Sequence, residues 1–156
     1  MLTRTHFVFS VFLCLILFWI NVVSVPNKIL FLLFVIIGTI IVDIDSKKSF
    51  VGKIILFRPI QWVFSHRGMF HTILFAVLFS LVVAFFDRWL GVAFAFGYIS
   101  HILLDCFTPA GVRLFWPLWD GKIGFGVRSG GLIEEILFVL LLLADLMIVF
   151  KMFIIW

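Results

Sequence analysis

The chain has 156 residues, 65% of them hydrophobic and 13% charged, where an ordinary soluble domain is roughly 45–50% apolar, glycine included, and about 25% charged. Such a composition cannot cover a water-facing surface, so a soluble globule, a disordered chain and a disulfide-built secreted domain are excluded and an integral membrane protein is left. The net charge of +4, in a chain with room for no soluble module, points to membrane topology and anionic headgroups, with no nucleic-acid partner.

Five apolar stretches follow in chain order, 7–25, 26–42, 69–86, 89–104 and 132–150, each near the length that crosses a hydrocarbon core about 30 Å thick. The expected fold is all-α, a polytopic helical membrane protein of about five transmembrane helices with interfacial segments, forming a single domain over 1–156. The second and fourth stretches are short. At 1.5 Å per residue 89–104 covers only about 24 Å, which leaves its polar ends at headgroup depth. Pro26 marks the second helix start, and Pro and Gly residues punctuate the loops before the third and fifth stretches.

The piece 54–64 is apolar but broken by Arg58, Pro59 and Gln61. It is too short to span and is expected to lie in the interface, with Arg58 snorkelling and Trp62 at headgroup level. The run 114–119, with Trp116-Pro117-Leu118-Trp119, has the character of an interfacial hook. With the amino terminus inside, Arg4, Lys47, Lys48, Lys53, Arg58, Arg67, Arg113, Lys122 and Arg128 are cytoplasmic, and only Lys28, Arg88 and Lys151 fall outside. That bias sets the orientation in a cell (inner or plasma) membrane. The first stretch also has the outline of a signal peptide, but it carries bulky residues through to Val25 and lacks an A-x-A site.

The polar residues are placed unevenly. His6, His66, His71 and His101 lie at the cytoplasmic ends of the first, third and fourth stretches, and Asp43, Asp45, Asp105, Glu134 and Glu135 lie at the same ends of the second, fourth and fifth. Ionisable residues at membrane depth are costly, so this gathering describes one polar site on one membrane face. His101 and Asp105 are four apart, on one helix face, where they either hold a cation or close the helix end as a pair. His66 and His71 are five apart, and Gly68 is expected to turn the chain so that His66 approaches from a loop, His71 from the first helical turn, and Arg67 is free to reach an anion. Asp43 and Asp45 end the second stretch against an unfavourable helix dipole, which a bound cation would relieve, one acid as ligand and the other behind it. Glu134 and Glu135 open the fifth stretch, where capping is the plain alternative to a site role. Asp145 is expected to pair with Arg88 or to face the bundle. Cys14 and Cys106 form neither a CxxC nor a metal-finger spacing.

Three segments carry a resemblance: Gly38 to Ser46 with Asp43 and Asp45; Ser65-His66-Arg67-Gly68 with His71-Thr72; and His101 with Asp105, Thr108 and Gly111. Together they resemble the YdjM-like family of membrane-bound metal-dependent hydrolases. Val42 stands where that family has a proline and Thr72 where it has a serine. The resemblance implies a ligand set drawn from His6, Asp43, Asp45, His66, His71, His101 and Asp105, with Arg67 beside it. The order of ligands also resembles part of that in zinc-dependent phospholipase C and the fungal zinc single-strand nucleases, which implies that Asp105 bridges two metals.

The expected activity is hydrolysis of a phosphoester in a membrane lipid or lipid-linked substrate at the cytoplasmic interface. One or two divalent ions, Zn²⁺ before Mn²⁺, are expected on His6, Asp43, His66, His71, His101 and Asp105. Asp45 or Glu134 is expected as base or supporting acid, and Arg67, with Arg113 or Arg128, as the phosphate clamp. The alternative is a non-enzymatic membrane protein whose His/Asp cluster binds a cation structurally or conducts ions.

Overall fold

The computed structural model describes residues 1–21, 24–47, 49, 51–63 and 67–155. His66, expected as a ligand, and Lys48 of the basic tally lie outside the described residues. The fold is helical: α1 (Thr3–Trp19), α2 (Lys28–Ile41), α3 (Arg58–Val63), α4 (Ile73–Phe86), α5 (Arg88–Cys106) and α6 (Leu132–Ile155). Among the described residues no strand forms, and Val112 and Ile123 make a single antiparallel bridge.

Side-chain caps set the helix starts more closely than hydropathy does. Asn27 accepts the Leu30 N–H at 3.0 Å and starts α2, two residues after the proline expected to open it. Thr72 accepts the Phe75 N–H at 3.2 Å and starts α4 at Ile73, so the third stretch loses its first turn: Met69–His71 is a separate 3-10 turn, and His71 lies outside the helix. Asp87 accepts the N–H groups of Trp89 and Leu90 and opens α5 early. With 19 residues, α5 is longer than the short fourth stretch expected. It and α6 are long and apolar enough to cross a membrane, whereas α1, α2 and α4 are shorter. Satisfying a free N–H at the first turn is worth about 1 kcal/mol per cap, which is why the polar residue overrides its apolar neighbours.

The helices alternate in direction. Phe18 packs on Phe31 and Val8 lies beside Ile36 and Ile40, so α1 and α2 are antiparallel. Ala84 meets Gly91 and Phe79 meets Tyr98, which makes α4 and α5 antiparallel. Val35 faces Gly97 and Thr39 faces His101, so α2 and α5 are parallel. Arg4 pairs with Glu135 and Trp19 stacks under Lys151, so α1 and α6 are parallel too. The α2–α5 contact is close because glycine permits it: a Cβ on Gly97 would sit 1.9 Å from the Val35 carbonyl oxygen, and one on Gly38 2.3 Å from that of Phe94. Below the polar residues, Val42, Phe94, Tyr98, Ile102, Cys106 and Val112 form one buried cluster.

Between α2 and α4 the chain makes two more 3-10 turns, Val42–Asp45 and Ile55–Phe57, and then α3. Ile54, Ile55, Leu56 and Trp62 are exposed, as an interfacial piece requires. Gln61 is buried instead, its amide donating to the carbonyls of Ile44 at 3.1 Å and Gly52 at 2.7 Å, and Ser49 donates to the Asp43 carbonyl at 2.7 Å. These bonds satisfy the carbonyls of an irregular loop and fix the turn that carries Asp43 and Asp45.

Candidate metal centre

The alternation brings five helix ends to one side of the bundle, and the polar residues meet there. His6 comes from the second turn of α1, Asp43 and Asp45 from the turn after α2, His71 from the turn before α4, and His101 and Asp105 from the last turns of α5. All six are buried.

His101 is the hinge of the arrangement. Its Nδ1 lies 2.7 Å from the carbonyl oxygen of Thr39. A carbonyl only accepts, so Nδ1 carries the proton and Nε2 presents its lone pair. That Nε2 is buried, has no hydrogen-bond partner among the described residues and lies 3.6 Å from Asp43 Oδ1. His71 Nε2 is 3.6 Å from the same Asp43 oxygen and 3.6 Å from Asp105 Oδ2, while its Nδ1 is 3.5 Å from Asp45 Oδ2. His6 stacks on His101 with ring centres 3.8 Å apart and brings Nε2 to 3.2 Å from Asp105 Oδ1. The donor atoms form two overlapping groups, His6, His101 and Asp105, and Asp43, His71 and His101, each with its atoms within 4.8 Å of one another. Buried imidazole and carboxylate donors at this spacing, with an orphaned Nε2 among them, fit a borderline divalent cation.

The charges follow from the packing. Burial alone would push the Asp43 carboxyl up, but the hydrogen bond with His71 and the nearby His101 hold it well below the usual carboxylate range. For His71 burial works downward, and Asp43 and Asp45 outweigh it, raising the imidazole to about 9. Asp105 Oδ1 draws positive charge from several directions, with the Met1 ammonium at 2.5 Å and Arg67 Nη2 at 3.0 Å.

Arg67 is tied to the protein. Its Nη1 donates to Thr108 Oγ1 at 2.7 Å, its Nη2 reaches Asp105, and its backbone N–H donates to Asp45 Oδ2 at 3.2 Å. The turn expected at Gly68 is made by Arg67 itself, at φ +62, a left-handed conformation that a residue other than glycine adopts only when its surroundings hold it there.

The remaining candidates have other partners or face outward. Arg113 pairs with exposed Asp120 at 3.0 Å, and Arg128 is exposed on the glycine-rich loop. Glu134 spends its two oxygens on the N–H groups of Leu2 and Gly130, each at 2.6 Å, and so fastens the start of α1 to the start of α6. Asp145 is buried toward the bundle, and Arg88, its expected partner, stacks on Trp89.

Three supporting residues lie outside the candidate set read from the sequence. Thr39 supplies the carbonyl that orients His101, Thr108 seats Arg67, and Tyr98 donates to the Phe70 carbonyl at 2.5 Å, holding the turn that carries His71. Tyr98 had a signal, being the one tyrosine in a chain with 22 phenylalanines: a buried ring that keeps a hydroxyl has a use for it.

The family model described as YdjM inner membrane protein matches residues 1–155. The chain belongs to the YdjM inner membrane protein family. Relatives include inner membrane protein YdjM of Escherichia coli (strain K12), 41% identical over 108 residues, covering 62% of this chain and 54% of the relative. An uncharacterized protein, YvsG, of Bacillus subtilis (strain 168) is 29% identical over 85 residues, covering 52% and 53%. A Methanothermobacter thermautotrophicus uncharacterized protein, ORF4', is 35% identical over 66 residues, covering 42% and 28%. The chain spans about half the length of the first of these relatives. No solved structure matches the chain. Membership in this family accords with the motif segments around Asp43, His71, His101 and Asp105, which the fold brings to one centre.

Proposed function

We propose that this YdjM-family chain is a five-span inner-membrane hydrolase that holds one or two divalent ions, Zn²⁺ before Mn²⁺, on His6, Asp43, His71, His101 and Asp105, and cleaves a phosphoester of a lipid or lipid-linked substrate at the cytoplasmic face. The observation that carries it is the meeting of three histidines and two aspartates from four separate segments, buried and within ligand distance, around the orphaned Nε2 of His101. Five alternating crossings require α1 and α6 to be parallel, α2 and α5 to be parallel, and α4 to oppose α5, which is the observed pattern. The shortness of α2 and α4, about 21 Å each at 1.5 Å per residue, supports a site drawn to interfacial depth.

A divalent ion bound there supplies Lewis acidity, lowering the pKa of water and taking up charge from a phosphoryl oxygen. The chain's own groups do the rest. Thr39 keeps His101 in the tautomer that faces the centre. Asp45 stands behind His71 and orients it, and Asp43 is the acid turned toward both imidazoles. Asp105 offers Oδ1 on the His6 side and Oδ2 on the His71 side, so one oxygen would be available to each donor group. Arg67, hydrogen-bonded to Asp105, is a side-chain cation beside the centre that could take a phosphate oxygen.

A second reading, a structural cation site, is favoured by one observation, the near-complete burial of the five donors. Metal analysis of the purified protein, followed by a phosphoester screen with and without chelator, separates the two. Chelator-sensitive cleavage supports the enzyme, and tightly held metal without any cleavage supports the structural site.

A further inference from the structure

An apolar groove of about 600 Å³ lies between α1, α2 and α6, on the side of α1 away from the centre. Arg4, Phe7 and Val8 of α1, Ile36 and Ile40 of α2 and Phe138 of α6 form its walls. The groove is ordered by depth. Arg4 and Ile40 stand at its upper end, level with Glu135 at the start of α6, and Ile40 is one turn before Asp43. Phe7, Val8, Ile36 and Phe138 lie one turn further from the site, about 5–6 Å along the helices.

We propose that this groove takes one acyl chain of an anionic glycerophospholipid, with the lipid phosphate against Arg4. The inference goes beyond the hydrolase reading: α1 stands between this groove and the centre, so the lipid held here is a bound partner and not the molecule that is cut. Three features favour a lipid chain as occupant. The lining below Arg4 is hydrocarbon, and it runs along the helix axes as a tail runs in a bilayer. The guanidinium of Arg4 lies over the Phe138 ring, 4.9 Å from its centre, and is half-exposed where one nitrogen pairs with Glu135, which leaves its remaining donors for a phosphate. The same first two turns of α1 carry His6 on their other side, so a lipid seated here has its phosphate about one helix diameter, roughly 10 Å, from the centre, across the first turn of α1. A second groove between α1 and α6, lined by Phe12, Ala144 and Lys151, lies at the far end of the bundle and serves as the internal control.

The test uses the full chain in detergent and the phosphonate analogue of dioleoyl phosphatidylglycerol, which binds without being cut, with bound lipid counted by native mass spectrometry. The wild type and Ala144→Trp are expected to hold one lipid per chain. Ile36→Trp, and Phe7→Trp in case the first disturbs folding, are expected to bind at least about tenfold more weakly, the equivalent of losing two buried methylenes, with metal content unchanged. Lipid held by both groove variants as by the wild type, or lost equally in Ala144→Trp, would overturn the proposal. Chelator-sensitive cleavage of water-soluble bis(p-nitrophenyl) phosphate by the wild type is scored separately: its absence counts against the hydrolase and leaves the lipid result standing.

Discussion

His101 donates its Nδ1–H to the carbonyl of Thr39 at 2.7 Å, and so turns Nε2 toward Asp43. The bond exists because α2 and α5 pack in parallel with backbone contact at Gly97. If His101 is a ligand, His101→Ala should remove bound metal, as should Asp105→Ala, while both proteins still reach the membrane. Loss of a supporting group costs about 10–100-fold in metal affinity and loss of a ligand more. Full occupancy in both variants, measured on the purified proteins, would refute the assignment.

Gly97→Ala is expected to destabilise the protein by about 1–3 kcal/mol, since the new Cβ falls 1.9 Å from the Val35 carbonyl and both neighbours are backbone. Metal affinity should fall with it, because separating α2 from α5 moves Asp43 away from His101. Gly126→Ala is the control, with nothing within 4 Å of the added carbon. Thermal unfolding and metal titration of the two variants check both parts.

Metal uptake should release a proton. Without metal, His71 is held charged by Asp43 and Asp45 up to about pH 9, whereas Asp43 is already ionised and contributes none. A ligand imidazole must be neutral, so apparent affinity should rise about tenfold per pH unit from pH 7 and level off above about 9. Calorimetry in buffers of different ionisation heat measures the release; none at pH 7 would show that His71 is neutral in the free site.

Arg67→Lys separates support of the centre from capture of substrate. The guanidinium serves Thr108 and Asp105 at once, a fork that an ammonium cannot reproduce. Metal affinity is therefore expected to drop about 10–100-fold, together with any turnover. Wild-type metal affinity with turnover alone reduced would assign the side chain to the phosphate.

For topology, a reporter fused after α6 should lie on the opposite membrane face from the amino terminus, as parallel α1 and α6 in a five-span bundle require. A cytoplasmic signal at that end would mean that one of the short helices, α2 or α4, does not cross.

Composition alone determined the solvent of this protein: a chain 65% hydrophobic has no other way to hide its surface. Charge placement along the chain also showed that His6, Asp43, His71, His101 and Asp105 share one end of the bundle, because each adjoins an apolar stretch and successive stretches reverse direction. What hydropathy could not show is which atoms meet. Helix starts were set by Asn27, Thr72 and Asp87, with one or two hydrogen bonds each, and the cap at Thr72 put His71 on a separate turn where it touches both Asp43 and Asp45. Arg67, Glu134 and Arg113 have the same residue chemistry wherever they sit. Only the tertiary structure fastened the first to Asp105, spent the second on backbone amides and sent the third out to Asp120, because partners are chosen by three-dimensional distance and by the need to satisfy buried groups.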